Sequence, residues 1–302
     1  MPLGLFLDLL LGLPLSLPSR LPLRICDALR QAQQAGVDRL DAQLLLGHLF
    51  NRPRTWLVAN DEQPLPPAAE ATWPAALARR AQGEPLAYVL GEQEFCGLSL
   101  SVNSSVLVPR PETEVLVHWA LECWLSSPSP EVVDLGTGSG AVALSIKRLQ
   151  PAAQLTASDV SATALGVAQL NARRHRLAVA WAQGDWWAAV AGQRFGLAVS
   201  NPPYISQGDA HLAALSHEPE LALTSGADGL DALRQIIDGA PEHLLAGAWL
   251  LLEHGHDQAE VVRELLTRRG FAGPVTRHDL AQLPRCTGAC WPGEYSYRPA
   301  SR

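Results

Sequence analysis

The feature that most constrains this chain is an alternation of strand-like and helix-like segments that begins near residue 131. Short apolar runs typical of buried strands lie at 132–135, 154–158, 195–200 and 249–252. Longer segments with helical periodicity lie at 141–149, 162–174, 230–245 and 258–269. Such alternation predicts an α/β fold, a doubly wound parallel sheet with helices on both faces. Ligands of such a sheet bind at the carboxyl ends of its strands.

A glycine-rich loop, Gly136-Thr137-Gly138-Ser139-Gly140, follows the first predicted strand and opens a helix. Glycine lets the backbone turn tightly and pass close to a ligand, and the amino end of the helix presents free N–H groups. The pattern fits NAD as well as S-adenosylmethionine (SAM). The loop therefore predicts a nucleotide-containing cofactor without choosing between these two.

Acidic and aromatic residues lie where further strands are expected to end. Asp159 ends the second strand, where a carboxylate can accept hydrogen bonds from both ribose hydroxyls of either cofactor. Asp185 and Trp186 end a further strand, expected between the runs at 154–158 and 195–200, where an acid and an aromatic ring can read and stack an adenine. Core packing is the alternative interpretation for Trp186 and its neighbour Trp187.

The tetrapeptide Asn201-Pro202-Pro203-Tyr204 follows the strand at 195–200, at the expected ligand edge. The simplest interpretation is a strand stop, because proline removes an N–H donor and fixes φ. The rigid turn also brings together an asparagine carbonyl oxygen and a proline carbonyl as two acceptors, with an aromatic face beside them. That set of groups fits a planar NH2 group, whose two hydrogens it can hold.

An amide nitrogen is a poor nucleophile because its lone pair is delocalised into the carbonyl group. In-line attack on a sulfonium methyl group therefore depends on alignment, and the acceptors stabilise positive charge that develops on nitrogen. This chemistry needs neither a general base nor a metal, since the methyl group belongs to the cofactor. Glu253, His254 and His256 follow a buried strand, and we expect a core or edge role for them instead of a metal site.

The chain divides by composition into four segments. Residues 1–22 are leucine-rich, interrupted by prolines and without a basic start, which predicts a disordered or spurious extension and not a secretion signal. Residues 23–82 predict a small helical domain, in which Leu40, Leu44, Leu45 and Leu49 have helix-face spacing. Residues 83–111 predict a linking β-hairpin, and residues 112–302 form the α/β domain.

The 302-residue chain carries a net charge of −7, so it lacks the positive field that holds nucleic acid nonspecifically. Five scattered cysteines, an odd number without a CxxC pair, indicate a reducing compartment, and Cys286 and Cys290 are expected to be free thiols. Beyond residue 22 no window approaches the roughly 18 apolar residues of a membrane-spanning helix. We expect a cytoplasmic protein that binds neither membrane nor metal.

Several motifs together closely resemble the release-factor glutamine N5-methyltransferase family (HemK type). The most specific is the segment Val108-Pro109-Arg110-Pro111-Glu112-Thr113-Glu114, whereas the tetrapeptide at 201–204 is shared with amino-methyltransferases of adenine and cytosine. Further matching positions are Arg80, Gly83, Pro85, Tyr88, Gly91, Phe95, Gly97, Glu218, Pro219, Ala222, Leu223, Gly226, Asp228, Gly229, Leu230, Glu253, His254 and Gly255. The resemblance covers residues 23–297.

The resemblance implies a Rossmann-like class I SAM-dependent methyltransferase sheet with a small N-terminal helical domain. It implies that SAM methylates the glutamine of the Gly-Gly-Gln loop in class I peptide chain release factors, and that the helical domain grips this protein substrate. Gly136 to Gly140 would then line the methionine and ribose side, Asp159 would bind ribose and Trp186 would lie by the adenine. Asn201 to Tyr204 would hold the glutamine amide. A monomer without direct DNA binding is expected.

Two features of the sequence allow more than one interpretation. Arg110 and Glu112 either border the pocket or form an ion pair that caps the following helix. Gln282 stands where the family usually has glycine, so the sequence departs from the resemblance in the final hairpin. An N6-adenine methyltransferase is the main alternative function, because adenine presents the same NH2 group. A non-catalytic SAM- or NAD-binding module and a dehydrogenase are further alternatives.

Overall fold

The computed structural model of the chain describes residues 22–293. Contacts between these residues separate two units, with the division between Gln82 and Gly83. The extension predicted at residues 1–22 lies, apart from Pro22, outside the described residues. Among the helices within residues 22–293, none has the length and apolar character needed to cross a bilayer.

From residue 22 onward, the first unit contains four helices: α1 (Ile25–Gln34), α2 (Arg39–Phe50), α3 (Arg54–Ala59) and α4 (Pro67–Ala81). Asp38 caps α2, because its carboxylate accepts a hydrogen bond of 2.7 Å from the backbone N–H of Leu40. The fully buried Trp73 anchors the core, and its indole N–H donates to Gln31. The predicted apolar face of α2 is only partly correct, since Leu45 is buried whereas Leu40 and Leu44 are exposed.

The second unit begins with α5 (Leu86–Leu90) and an antiparallel hairpin, β1 (Glu92–Phe95) and β2 (Leu98–Ser101). Phe95, Leu98 and Leu100 are buried in the core of this unit. Cys96 and Gly97 form the turn, both with positive φ. The segment 83–111 therefore contains the hairpin that the sequence predicts.

A seven-stranded sheet forms the centre of the second unit, in the spatial order β5-β4-β3-β6-β7-β9-β8. Its strands are β3 (Glu131–Leu135), β4 (Gln154–Asp159), β5 (Ala180–Gln183), β6 (Phe195–Ser200), β7 (Leu244–Glu253), β8 (Ala272–His278) and β9 (Pro284–Cys290). The strands from β5 across to β7 pair in parallel, as predicted. β9, which the alternating pattern does not include, runs antiparallel to both β7 and β8 and forms the final hairpin with β8. A short turn joins β8 to β9, and only antiparallel strands can be joined in that way.

Helices cover both faces of the sheet: α6 (Glu114–Trp124), α7 (Ala141–Leu149), α8 (Ala162–His175), α9 (Asp231–His243) and α10 (Ala259–Arg269). Successive residues of a strand point to opposite faces, so β3 contributes to two cores. Val132 packs in the cluster that contains residues of α6 and α7, and Val133 packs in the cluster that contains residues of α9 and α10. This arrangement confirms the predicted α/β fold.

Asn171 of α8 ties the β1–β2 hairpin to the glycine-rich loop. Its side-chain oxygen accepts from the N–H of Ser101 at 2.7 Å, and its Nδ2 donates to the carbonyl oxygens of Ser101 and Ser139 at 3.0 and 2.9 Å. Asn171 has no exposed surface, so these bonds are shielded from water. One side chain thus satisfies three backbone groups in two segments that are distant in sequence.

The turn between β8 and β9 explains the departure at Gln282. The Asp279 carboxylate accepts from the N–H groups of Ala281 and Leu283, and Gln282 takes a φ of 61° in the resulting tight turn. A left-handed residue other than glycine costs about 1–2 kcal/mol. The final hairpin therefore forms with glutamine at this position, at a local cost.

We predict that Gln282→Gly stabilises the second unit by about 0.5–1 kcal/mol, because relief of the left-handed conformation outweighs the added freedom of the unfolded chain. The measurement is the urea midpoint of unfolding, with Gln282→Ala as the control. The alanine variant keeps the strained φ and should not be stabilised. Equal effects of the two substitutions would contradict this account.

Candidate active site

Three loops meet at one edge of the sheet because of the strand register. Leu135, the last residue of β3, pairs with Ser158 on one side and with Ser200 on the other. The segments that follow these strands begin at Gly136, Val160 and Asn201, and Asp159 is the last residue of β4. The chain order reverses at β3, between β4 and β6, which is where ligands bind in sheets of this type.

A cavity of about 310 Å³ opens at this edge. The sequence-predicted site residues that line it are Arg110, Gly136, Thr137, Gly138, Ser139, Asp159, Asp185, Trp186, Asn201 and Pro203. Four others, Glu112, Gly140, Pro202 and Tyr204, are not part of its lining. The structure thus brings most of the predicted residues together around one space.

The glycine-rich loop needs its glycines for two different reasons. Gly136 has a φ of 73°, and a Cβ atom there would lie 3.2 Å from the Trp186 ring. Gly140 has a φ of 84° and sits behind the cavity, where a Cβ atom would lie 3.0 Å from the Leu144 side chain. Gly136 therefore leaves room for the indole at the cavity wall, and Gly140 lets α7 pack closely.

Asp159 shapes the loop as well as the cavity. One carboxylate oxygen accepts from the N–H of Gly138 and the other from the N–H of Ser161, both at 2.9 Å. Partial burial raises the pKa of this carboxyl, and the bonds from Ser161, Gly138 and Val160 act in the opposite direction. The carboxylate therefore links the ends of β3 and β4 and still borders the cavity, where it can accept further hydrogen bonds.

Asp134 is the second-to-last residue of β3 and contacts the glycine-rich loop. Its carboxylate accepts from the Thr137 hydroxyl at 2.7 Å and from the N–H of Ala143 at 3.2 Å. Burial raises the pKa of this carboxyl to about 7, against the smaller opposing effect of these two hydrogen bonds. Asp134 thereby holds the loop and the first turn of α7 to the strand.

The two adjacent tryptophans have different environments. Trp186 lines the cavity and has a φ of 40°, an uncommon conformation for a bulky residue. Trp187 is buried, donates from its indole N–H to the carbonyl of Ile236 at 2.8 Å and stacks on His243. Trp187 is therefore a core residue, whereas Trp186 packs against the edge of the same apolar cluster and also lines the cavity.

The tetrapeptide at 201–204 turns away from the sheet as its prolines require. Asn201 and Pro203 line the cavity, whereas Pro202 is buried. The Tyr204 side chain packs against the apolar cluster on the α9 face, and its carbonyl accepts from Gln258 at 3.0 Å. Burial raises the pKa of the Tyr204 hydroxyl. The predicted aromatic face beside the two acceptors is therefore not part of the cavity wall.

Arg110 and Glu112 do not form the helix-capping pair that sequence reasoning left open. Arg110 borders the cavity and forms an ion pair with Glu218, whose other carboxylate oxygen accepts from the N–H of Val108 at 3.1 Å. Glu218 is almost fully buried, so this pair is shielded from solvent. It joins two walls of the cavity, the segment before Pro111 and the segment around Pro219.

Glu253 and His254 end β7 in the interior. His254 is fully buried, and its ring nitrogens bond to the Gly255 carbonyl and the Thr287 hydroxyl, which confirms a core role. Residues 22–293 contain no group of three or more His, Cys, Asp or Glu side chains arranged to hold a metal ion. All five cysteines, Cys286 and Cys290 among them, are free thiols.

Sequence reasoning missed several residues of this site. Asp134 stands two residues before the glycine-rich loop, and an acid inside an apolar strand is a usable signal. Thr113 and Glu218 lie in segments that resemble the family, but nothing local indicates their partners, which are 88 and 108 residues away. Leu221, exposed and on the cavity wall, carries no sequence signal of its own.

Known proteins and protein families match this chain over most of its length. Residues 24–91 match the family model described as PrmC N-terminal domain, and residues 113–222 match the one described as Methyltransferase small domain. A release factor glutamine methyltransferase of Bordetella pertussis is 48% identical over 256 residues, 84% of this chain and 95% of that protein. One of Pseudomonas aeruginosa is 43% identical over 272 residues, 88% and 98% of the two chains.

Among solved structures, the hMettl16 catalytic domain in complex with MAT2A 3'UTR hairpin 1 matches with a TM-score of 0.55 and 16% identity. The match covers 74% of this chain and 83% of that one. At such identity the likeness shows the fold alone. The prediction of a Rossmann-like sheet of the class I SAM-dependent methyltransferase type, preceded by a small helical region, is confirmed.

The raised pKa of Asp134 predicts that stability falls as pH rises from about 4 to about 7. An ordinary Asp carboxyl titrates near pH 3.9 in the unfolded chain, so over this range the folded state binds more protons than the unfolded state. The slope is at most about 1.4 kcal/mol per pH unit for this group. In Asp134→Asn that contribution is absent.

Urea unfolding at about pH 5 and about pH 7 gives the measurement. The wild type should lose about 1–3 kcal/mol more than Asp134→Asn between the two conditions. Parallel pH dependences of the two proteins would contradict the assignment of a buried, proton-binding carboxyl to Asp134.

Proposed function

This chain belongs to the release factor glutamine methyltransferase family, and we propose that it methylates the side-chain amide nitrogen (N5) of the glutamine in the Gly-Gly-Gln motif of class I peptide chain release factors. It is a SAM-dependent protein methyltransferase. The observation that carries the proposal is that Asn201 and Pro203 line the same cavity as the glycine-rich loop, so an amide acceptor site adjoins the cofactor loop.

The cavity residues suit SAM. When bound, SAM supplies an electrophilic methyl group and leaves as S-adenosylhomocysteine. Gly136 to Ser139 offer a backbone free of bulky side chains for the methionine and ribose side. Asp159 has carboxylate lone pairs on the cavity side to accept from ribose hydroxyls, and Asp185 and Trp186 offer an acceptor and an aromatic face for the adenine.

Asn201 and the prolines act on the substrate amide. The Oδ1 of Asn201 and a backbone carbonyl of the Pro202-Pro203 turn accept the two N–H hydrogens, which fixes the plane of the amide and the direction of its nitrogen lone pair. As the nitrogen forms its new bond to carbon, positive charge develops on it, and the two acceptors stabilise that charge. The nitrogen then releases one of its protons to solvent water, and the product is the N5-methyl amide.

The helical segment and the net charge of the chain bear on how it binds the release factor. The helical segment 23–82 is proposed to recognise the release factor, the segment 83–111 to link it to the catalytic domain, and residues 112–302 to hold the SAM-dependent methyltransferase machinery. A net charge of −7 suits a protein substrate better than a nucleic acid, so no direct DNA binding is proposed. We propose that the protein acts as a monomer in the cytoplasm, where release factors work.

The direct test is mass spectrometry of the Gly-Gly-Gln peptide after incubation of the purified protein with SAM and an unmodified release factor of the same organism. One added methyl group on the glutamine supports the proposal. A folded protein that binds SAM but leaves this glutamine unmodified contradicts it. Adenine in single-stranded DNA or RNA is then the next NH2 substrate to test.

We predict that Asn201→Ala lowers kcat at least 100-fold but changes the Kd for SAM less than three-fold, because it removes an acceptor that acts on the substrate amide. Asn201→Asp keeps a side-chain oxygen and serves as the matched control. It should retain more activity than the alanine variant. A parallel loss of SAM affinity and turnover in Asn201→Ala would count against the assignment.

Replacing Trp186 by alanine should raise the Kd for SAM about two- to ten-fold, which corresponds to the loss of aromatic contact worth about 0.5–1.5 kcal/mol. Trp186→Phe, which keeps a ring, should lie closer to the wild type. Isothermal titration with SAM provides the measurement. Unchanged affinity in the alanine variant would remove Trp186 from the adenine site.

A further inference from the structure

Thr113 lies beside Asn201 at the cavity wall. It ends the 3-10 turn Pro111–Thr113, directly before α6, and only 4% of its surface is exposed. Both residues line the cavity. The Nδ2 of Asn201 donates a hydrogen bond of 3.2 Å to the Thr113 hydroxyl, across 88 residues of sequence.

This bond decides which end of the Asn201 amide meets the substrate. An asparagine side chain has a donor NH2 group and an acceptor carbonyl oxygen at opposite positions of one plane. With the NH2 group bonded to Thr113, the carbonyl oxygen is the atom left to accept from another donor. A substrate amide brings two N–H donors, so the reverse orientation would set donor against donor.

The Thr113 hydroxyl lies near a buried carboxyl group. Glu253, at the end of β7, is fully buried, and its Oε2 atom has no hydrogen-bond partner in the described part of the chain. Burial raises the pKa of Glu253 to about 7, while the hydroxyls of Thr113 and Tyr204 and the charge of Arg285 lower it and the charge of Glu112 raises it. The Glu253 carboxyl thus offers an acceptor for the Thr113 hydroxyl hydrogen, which leaves the hydroxyl lone pairs to accept from Nδ2 of Asn201.

We propose that Thr113, backed by Glu253, is a positioning residue that fixes the amide of Asn201 with its carbonyl oxygen toward the substrate. This inference deepens the proposed function and rests on it for its catalytic consequence. The orientation itself is a property of the protein without substrate. Two kinds of measurement therefore separate the two claims.

The kinetic test compares Thr113→Val with Thr113→Ser. Valine matches threonine in shape and lacks the hydroxyl, whereas serine keeps the hydroxyl. We expect Thr113→Val to lower kcat about 10- to 100-fold, because the Asn201 amide is no longer held in the productive orientation. The Kd for SAM should stay within two-fold, and Thr113→Ser should recover kcat to within about five-fold of the wild type.

The second test observes the Asn201 side chain directly. In protein labelled with ¹⁵N at asparagine, the signal absent from Asn201→Ala identifies the Asn201 NH2 group. In the wild type and in Thr113→Ser, a hydrogen bond to the hydroxyl should slow exchange of these hydrogens with solvent. In Thr113→Val the exchange should be at least five-fold faster.

The outcomes are distinguishable. If the wild type leaves the release factor glutamine unmethylated, the proposed function fails, and the exchange measurement still decides the orientation of Asn201. If Thr113→Val folds, exchanges like the wild type and turns over within two-fold of it, the positioning role is overturned. Equal losses of kcat in the valine and serine variants would also overturn it, because the hydroxyl would then not be the group that matters.

Discussion

The pairing of β3 with strands on both of its sides is the constraint on which the rest of the molecule depends. The strand is buried on both faces, and its last residue, Leu135, has partners in β4 and in β6. If β4 or β6 paired with β3 one residue out of register, the side chains of the shifted strand would point to the wrong faces of the sheet. The register that packs the two cores is therefore also the register that aligns the three loops of the cavity.

Buried carboxyl groups turn this alignment of strands into a defined set of loops. Asp134 and Asp159 bind the backbone and hydroxyl groups of the glycine-rich loop, and Glu218 binds both Arg110 and the backbone of Val108. Such groups cost free energy to bury, which their hydrogen bonds offset only in part. The cavity thus owes its shape to polar contacts that a purely apolar interior would not supply.

Local patterns predicted much of this architecture. The helix at 141–149 and the strand at 195–200 have the predicted bounds, because a glycine-rich loop opens the first and a wholly buried apolar run forms the second. β5 and the β8–β9 hairpin were not delimited, since they are short, partly exposed or dependent on pairing with distant strands. The exposure of Leu40 and Leu44 shows the same limit, because spacing alone does not say which face of a helix is covered. Contacts such as Asn201 with Thr113 join residues far apart in sequence, and only the folded chain reveals them.

The side chain of Asn171 joins two segments that are far apart in the sequence. Because it bonds to Ser101 in the hairpin and to Ser139 in the glycine-rich loop, neither segment can open without leaving a buried amide unsatisfied. Their local order is therefore thermodynamically linked. A ligand that stiffens the loop must also slow amide exchange in the hairpin, and, by reciprocity, a loosened hairpin must weaken the ligand. Through Asn171, the hairpin thus shares its stability with the glycine-rich loop although no part of β1 or β2 lines the cavity.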